Sequence, residues 1–144
     1  MEVFNDLQLN DGRMVGYLNL PESLKVVAEF DLEEHDHPEP SDFAELISTA
    51  TSWATGLNAA TFEILKKQIA KELTDAAYGG AGYQVSESDY ADLETSLLVE
   101  RLCFFPDNIV LIIFEAKKEY PDMDIYCQLD NSYQIEDISV EERN

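Results

Sequence analysis

The spacing of hydrophobic positions changes along the chain, and each change marks a different element. Met14-Val15-Gly16-Tyr17-Leu18-Asn19-Leu20 reads as a strand. Leu24-Lys25-Val26-Val27-Ala28-Glu29-Phe30-Asp31-Leu32 alternates with β-branched residues and reads as a second. Pro21-Glu22-Ser23 supplies the turn between them, so an N-terminal hairpin is expected. Leu7 and Leu9 fit a short strand ahead of it, closed by Asn10-Asp11-Gly12. The spacing then becomes helical. Ser41 and Asp42 offer caps, and Phe43, Leu46, Ile47, Ala50, Trp53, Ala54 and Leu57 recur on one helical stripe. Gly56 and Asn58 end this helix and begin the next, whose stripe is Phe62, Leu65, Ile69, Leu73 and Ala76, with Lys66, Lys67 and Lys71 on the wet side. Gly79-Gly80-Ala81-Gly82 stops it, and Ser86 with Asp89 predicts a third, short helix over 87–95.

The last third returns to strand spacing. Residues 97–105 and 109–116 are apolar runs joined by Pro106-Asp107-Asn108, and 125–129 and 133–140 are joined by Asp130-Asn131-Ser132. The expectation is an α+β fold: an antiparallel sheet, made of the N-terminal hairpin and the C-terminal meander, with two main helices packed on one face. A chain of 144 residues with 45% hydrophobic residues has a core to bury, and 1–144 is read as a single domain.

Charge narrows the function classes. Thirty acidic residues against nine basic ones give a net charge of −21. Nucleic acids and anionic membranes are held by Lys and Arg, so direct binding to either is disfavoured and a basic protein partner is favoured. The longest apolar runs fall far short of the roughly 20 residues that span a bilayer. No secretory leader is evident at Met1-Glu2-Val3-Phe4, and a cytoplasmic location is expected. Cys103 and Cys127 both fall in strand-like segments. One disulfide between neighbouring strands is a possible pairing; buried free thiols in a reducing compartment are the favoured reading.

Chemical motifs are sparse. Glu34-His35-Asp36-His37 contains metal-ligating types, but its spacing beside Pro38 and Pro40 suits a solvated acidic loop better. Asp122-Met123-Asp124 begins like a calcium loop, lacks the later Gly and Glu, and reads as a turn. Gly79-Gly80-Ala81-Gly82 lacks the Lys-Ser/Thr ending of a phosphate loop. No nucleophile elbow or triad motif occurs. The chain is therefore read as a non-enzyme with no metal and no cofactor.

The acids themselves are clustered, in runs unbroken by any base. The run after the first hairpin (Asp31, Glu33, Glu34, Asp36, Glu39, Asp42, Glu45) is the first candidate for partner binding, because loops carry function. Glu87, Asp89, Asp92 and Glu94 form the second. Tyr78, Tyr83, Tyr90, Tyr120, Tyr126 and Tyr133 interleave with the acids, and tyrosine suits interfaces.

The layout, carried by Gly16-Tyr17-Leu18, Val26-Val27-Ala28, Asp107-Asn108-Ile109-Val110-Leu111 and Ile125-Tyr126-Cys127-Gln128-Leu129-Asp130, resembles small acidic bacterial proteins of the domain-of-unknown-function kind. Many of these are encoded as immunity proteins beside secreted toxins. The resemblance covers about residues 16–140 and carries over no functional residue. It implies a cytoplasmic protein that neutralises a toxin by occluding its active site, and the acidic charge makes a nuclease-type toxin with a basic substrate groove the expected target. The alternatives are a nucleic-acid mimic of the anti-CRISPR or anti-repressor type, a metal-dependent protein using residues 34–37, and a soluble housekeeping domain.

Overall fold

The computed structural model describes residues 3–20, 24–33, 37–78 and 85–143. Seven strands form one sheet whose spatial order is the order of the sequence. They are β1 (Phe4–Asn10), β2 (Arg13–Leu20), β3 (Leu24–Phe30), β4 (Leu98–Phe105), β5 (Ile109–Glu115), β6 (Met123–Leu129) and β7 (Ile135–Glu142). The helices α1 (Ala44–Gly56), α2 (Ala59–Tyr78) and α3 (Glu87–Ser96) all lie between β3 and β4. The fold is α+β, as the hydrophobic spacing predicts, with three N-terminal strands rather than a bare hairpin.

One pairing was not visible in the sequence. β3 and β4 run parallel, with Val27 opposite Arg101 and Phe30 opposite Phe104, while every other neighbouring pair is antiparallel. A parallel pair needs a long crossover to bring the chain back to the same end of the sheet, and the three helices are that crossover. Two meanders are thus joined along one parallel seam.

Alternation sets the two faces of the sheet. In β2, Met14, Leu18 and Leu20 are buried while Arg13, Tyr17 and Asn19 are exposed. The buried set continues through Phe30, Leu102, Phe104, Ile112, Phe114 and Ile125, and packs with Leu46, Trp53, Leu65 and Ile69 of the helices in one core. The tight turns fall where the sequence has residues that tolerate left-handed backbone: Asp11 and Gly12 (φ 52° and 79°), then Asp107 and Asn108 (66° and 61°). β1 carries a bulge between Asn5 and Gln8, with Asp6 at φ 57°. The bulged backbone sits close over Gly16, where an added Cβ would come within 2.7 Å of the Asn5 carbonyl. Such a bulge also blunts an edge strand against pairing with other chains.

The expected turn at Pro21-Glu22-Ser23 and the glycine stop at 79–82 lie outside the described residues. Asp122-Met123-Asp124 is only partly a turn: Asp122 has φ 59°, whereas Met123 opens β6 and Asp124 is buried within it. The disulfide pairing is overturned. β5 lies between β4 and β6, and Cys103 faces away from the helices while Cys127 packs in the core beneath them. Both are free thiols, which burial pushes up to about 11 for Cys103 and about 12 for Cys127. Among the described residues no helix is long and apolar enough to cross a membrane.

Candidate binding surface

The parallel seam decides where the acids go. Because β3 and β4 end at the same side of the sheet, the segment leaving β3 runs directly beside the β4–β5 turn. The amide of Asp31 donates to the carbonyl of Phe104 at 3.0 Å, which ties the start of the acidic run to the end of β4. α1 packs over this same end through Leu46, Ala50 and Trp53.

Between α1 and the strand ends lies a cavity of about 250 Å³ whose walls include Trp53, Phe104, Phe105, Ile109 and Tyr133. The rings form a connected wall. Trp53 meets Phe104 edge-on at a centroid distance of 5.7 Å and Tyr133 at 5.2 Å. Tyr133 is fixed at both ends: its backbone is left-handed at φ 63°, and its hydroxyl donates to the Trp53 carbonyl at 2.6 Å. Burial pushes that hydroxyl above its ordinary pKa, so it remains a donor. The indole Nε1 of Trp53 is buried with no hydrogen-bond partner among the described residues. Native interiors rarely leave such a donor unmet, and the cost is about 1–3 kcal/mol.

A second cavity of about 370 Å³ adjoins the first, sharing Leu46, Thr49, Phe105 and Asn108 with it. This one is polar. Asp42, Glu45 and Asp107 line it, and among the described residues no Lys, Arg or His does. The two together make a groove with an aromatic floor at one end and a carboxylate rim at the other.

The expected partner-binding residues divide by place. Asp31 is already committed, since its carboxylate pairs with Arg13 Nε at 3.2 Å and accepts the Glu33 amide at 2.7 Å. Glu33 is exposed in left-handed backbone, with φ 62°. Glu34 and Asp36, with His35 of the same segment, lie outside the described residues. Glu39, Asp42 and Glu45 are exposed on the 3-10 turn Pro40–Phe43 and the first turn of α1. Asp42 accepts the Glu39 amide at 2.8 Å, which caps the turn and aims this carboxylate beside the groove.

Glu87, Asp89, Asp92 and Glu94 are on α3, at the opposite end of the sheet, where Asp89 and Asp92 face Lys118, Glu119 and Tyr120 of the β5–β6 connection. The two acidic runs are therefore not one surface. Asp89 caps α3 by accepting from the Ser86 amide at 3.0 Å, and Glu94 pairs with Lys67 at 3.6 Å. These two residues have local structural duties.

A third group of acids went unnoticed in the sequence. Arg143 donates from Nε to Asp124 at 3.1 Å and from Nη2 to Glu115 at 3.2 Å and Glu100 at 3.4 Å, so one guanidinium gathers carboxylates from β4, β5 and β6. Asp124 is only 6% exposed. Burial opposes its charge, yet the hydrogen bond from Arg143 and then that from Glu100 hold its pKa below the usual range. Glu100 moves the other way, raised by burial and then by its contact with Asp124. The arrangement fastens the end of β7 to the sheet and removes these acids from the free surface. Among the described residues, no group of His, Cys, Asp and Glu converges in a way that could hold a metal ion.

Fold and surface together define an α+β domain with helices on one face and an acid-rimmed aromatic groove at one end of its sheet. Neither a protein-family model, nor a curated protein, nor a solved structure matches the chain.

Proposed function

We propose that the chain is a non-enzymatic acidic binding protein that neutralises a basic partner, acting as an immunity protein that blocks a secreted nuclease-type toxin. The observation that carries this reading is the groove: Asp42, Glu45 and Asp107 present carboxylates beside an aromatic floor, and no base lines it among the described residues. A nuclease holds its substrate phosphates in a basic groove. An acidic surface with an apolar centre can occupy that groove, and charge steering accelerates the encounter. The apolar floor supplies affinity that salt does not screen, and the rim supplies orientation and rate.

A nucleic-acid mimic needs carboxylates spaced along one face like phosphates. Here the acidic runs sit at opposite ends of the sheet, and other acids are folded around Arg143. That distribution favours a local protein interface over mimicry of a helix.

Affinity capture from cells of the source organism tests the proposal. The chain and its Asp42→Asn/Glu45→Gln variant serve as baits at low and high salt, and any recovered nuclease is assayed with and without the chain. The expected result is a basic protein, captured better at low salt and less by the variant, whose activity the chain suppresses. Recovery of no basic protein at either salt, or a captured nuclease that stays fully active, would refute the proposal.

A further inference from the structure

We infer, resting on the basic-partner reading above, that the aromatic cavity is an anchor pocket. Its occupant is an aromatic side chain on a loop of the partner that also carries Lys or Arg within a few residues. Size points to a side chain rather than a cofactor. At about 250 Å³ the aromatic cavity itself lies below the roughly 300–1,000 Å³ of sites that enclose a drug-sized molecule, and the space of about 370 Å³ it opens into has the carboxylates of Asp42, Glu45 and Asp107 in its wall. Chemistry points to an aromatic ring. Phe105 and Tyr133 are half-buried at its wall and offer ring surface to an entering ring, while Trp53 and Phe104, both buried, back them, with Tyr133 held 5.2 Å from Trp53 at an interplanar angle of 49°.

Charge complementarity identifies the neighbours of that ring. The cavity opens into the space lined by Asp42, Glu45 and Asp107, and Thr49 and Asn108 belong to both spaces. A residue a few positions from the anchor therefore arrives beside carboxylates. A Lys or Arg there is paired, whereas an Asp or Glu is repelled. Polar groups of Ser52, Asn108 and Asn131 at the cavity wall are available to the partner's backbone. The pocket is shaped without a partner: the Tyr133 hydroxyl donates to the Trp53 carbonyl of α1, and Asp107 and Asn108 set the β4–β5 turn in left-handed backbone. Pre-organised anchor pockets are where interface energy concentrates.

The test selects peptides from a random displayed library on the full chain at low ionic strength. The enriched peptides are then titrated against the wild type, Thr49→Phe, Ser52→Phe and Asp42→Asn/Glu45→Gln. Thr49 and Ser52 are exposed on α1, so the larger side chains obstruct the cavity without entering the core. The expected result is a set of peptides that place an aromatic residue near Lys or Arg. Filling the cavity should weaken them about 10- to 100-fold, the fold-change that corresponds to one buried aromatic side chain. That loss should be the same at low and high salt, whereas the loss in the Asp42/Glu45 variant should shrink at high salt. Basic peptides that bind both filled variants as tightly as the wild type would overturn the anchor pocket and leave the basic-partner reading standing. Aromatic peptides that lack Lys and Arg, yet lose affinity in the filled variants, would overturn the basic partner and leave the pocket. A library with no enrichment would overturn the pocket.

Discussion

Gly56 ends α1 directly beneath the Tyr133 hydroxyl, and that contact allows the wall of the groove to be tested through two residues. Gly56 has ordinary helical backbone, since among the described glycines only Gly12 has positive φ, so alanine is conformationally acceptable there. Alanine in a helix is normally worth about 0.5–1 kcal/mol over glycine. Here the new Cβ would collide with Tyr133 Oη, while the next nearest ring atom, Cζ, is at an ordinary 3.6 Å. The collision displaces the tyrosine and forfeits its hydrogen bond to the Trp53 carbonyl, about 0.5–1.5 kcal/mol. It also disturbs the Trp53–Tyr133 ring contact, about 0.5–1.5 kcal/mol. The losses outweigh the helical gain, and Gly56→Ala is expected to destabilise the wild type by roughly 1 kcal/mol, a fall in Tm of roughly 3–5 °C. In a Tyr133→Phe background the colliding oxygen is gone, and the same substitution should stabilise by about 0.5–1 kcal/mol. Urea unfolding of all four proteins, followed by circular dichroism, closes the double-mutant cycle. The reasoning fails if Gly56→Ala has the same sign in both backgrounds.

The Arg143 cluster gives opposite pH signs to its two perturbed acids. Asp124, held low, contributes stability above its unfolded pKa that is lost as pH falls through its folded value, so Asp124→Asn should destabilise at pH 7 and matter little in strong acid. Glu100, held high, contributes stability that is fully present below its unfolded pKa and is lost as pH rises through the folded value. Glu100→Gln should therefore be neutral or stabilising at pH 7, and thermal melts across pH 3 to 7 that show both variants behaving alike would contradict the assignment. Cys103 and Cys127, buried and raised to about 11 and about 12, should resist a thiol reagent at pH 8 in the folded protein and react fully in urea. Rapid native labelling of Cys127 would contradict its place in the core. The net charge of −21 predicts that Tm rises as NaCl shortens the screening length from about 30 Å at 0.01 M to about 8 Å at 0.15 M. A flat or falling Tm over that range would show that the acids do not repel one another appreciably.

Local signals were legible in the sequence. Asp11-Gly12 and Asp107-Asn108 mark turns because few other residues accept left-handed backbone, and Leu46, Ala50 and Trp53 mark a helix because they recur on one stripe. The acid rim was half legible: Asp42 and Glu45 belong to a visible acidic run, but Asp107 was read only as a turn residue. What brings Asp107 to them is the β3–β4 pairing, and no local pattern encodes which strand lies beside β3. The aromatic floor was hidden for the same reason: Trp53, Phe104 and Tyr133 come from three separate segments, Trp53 and Phe104 look like core on their own, and Tyr133 stood out only as one of several tyrosines among the acids. The Arg143 cluster could have been suspected from one signal, an Asp at 124 directly before the apolar positions of Ile125, Cys127 and Leu129. Such a residue needs a cationic or hydrogen-bonding partner.

The parallel seam also has a consequence during synthesis. Glu29 and Cys103 face each other across it, yet they lie 74 residues apart in the chain. A ribosome adding about 5–20 residues per second leaves the outer edge of β3 without its neighbour for roughly 4–15 s after it emerges. A sheet of β1 to β3 formed in that interval would have β3 as an open border, while the bulge blunts the β1 edge. The next residues to follow that border are Asp31, Glu33, Glu34, Asp36, Glu39, Asp42 and Glu45. Like charge on that tether disfavours the approach of two such borders. The acids proposed to meet a basic partner in the finished protein would thus also oppose edge-to-edge pairing of unfinished chains.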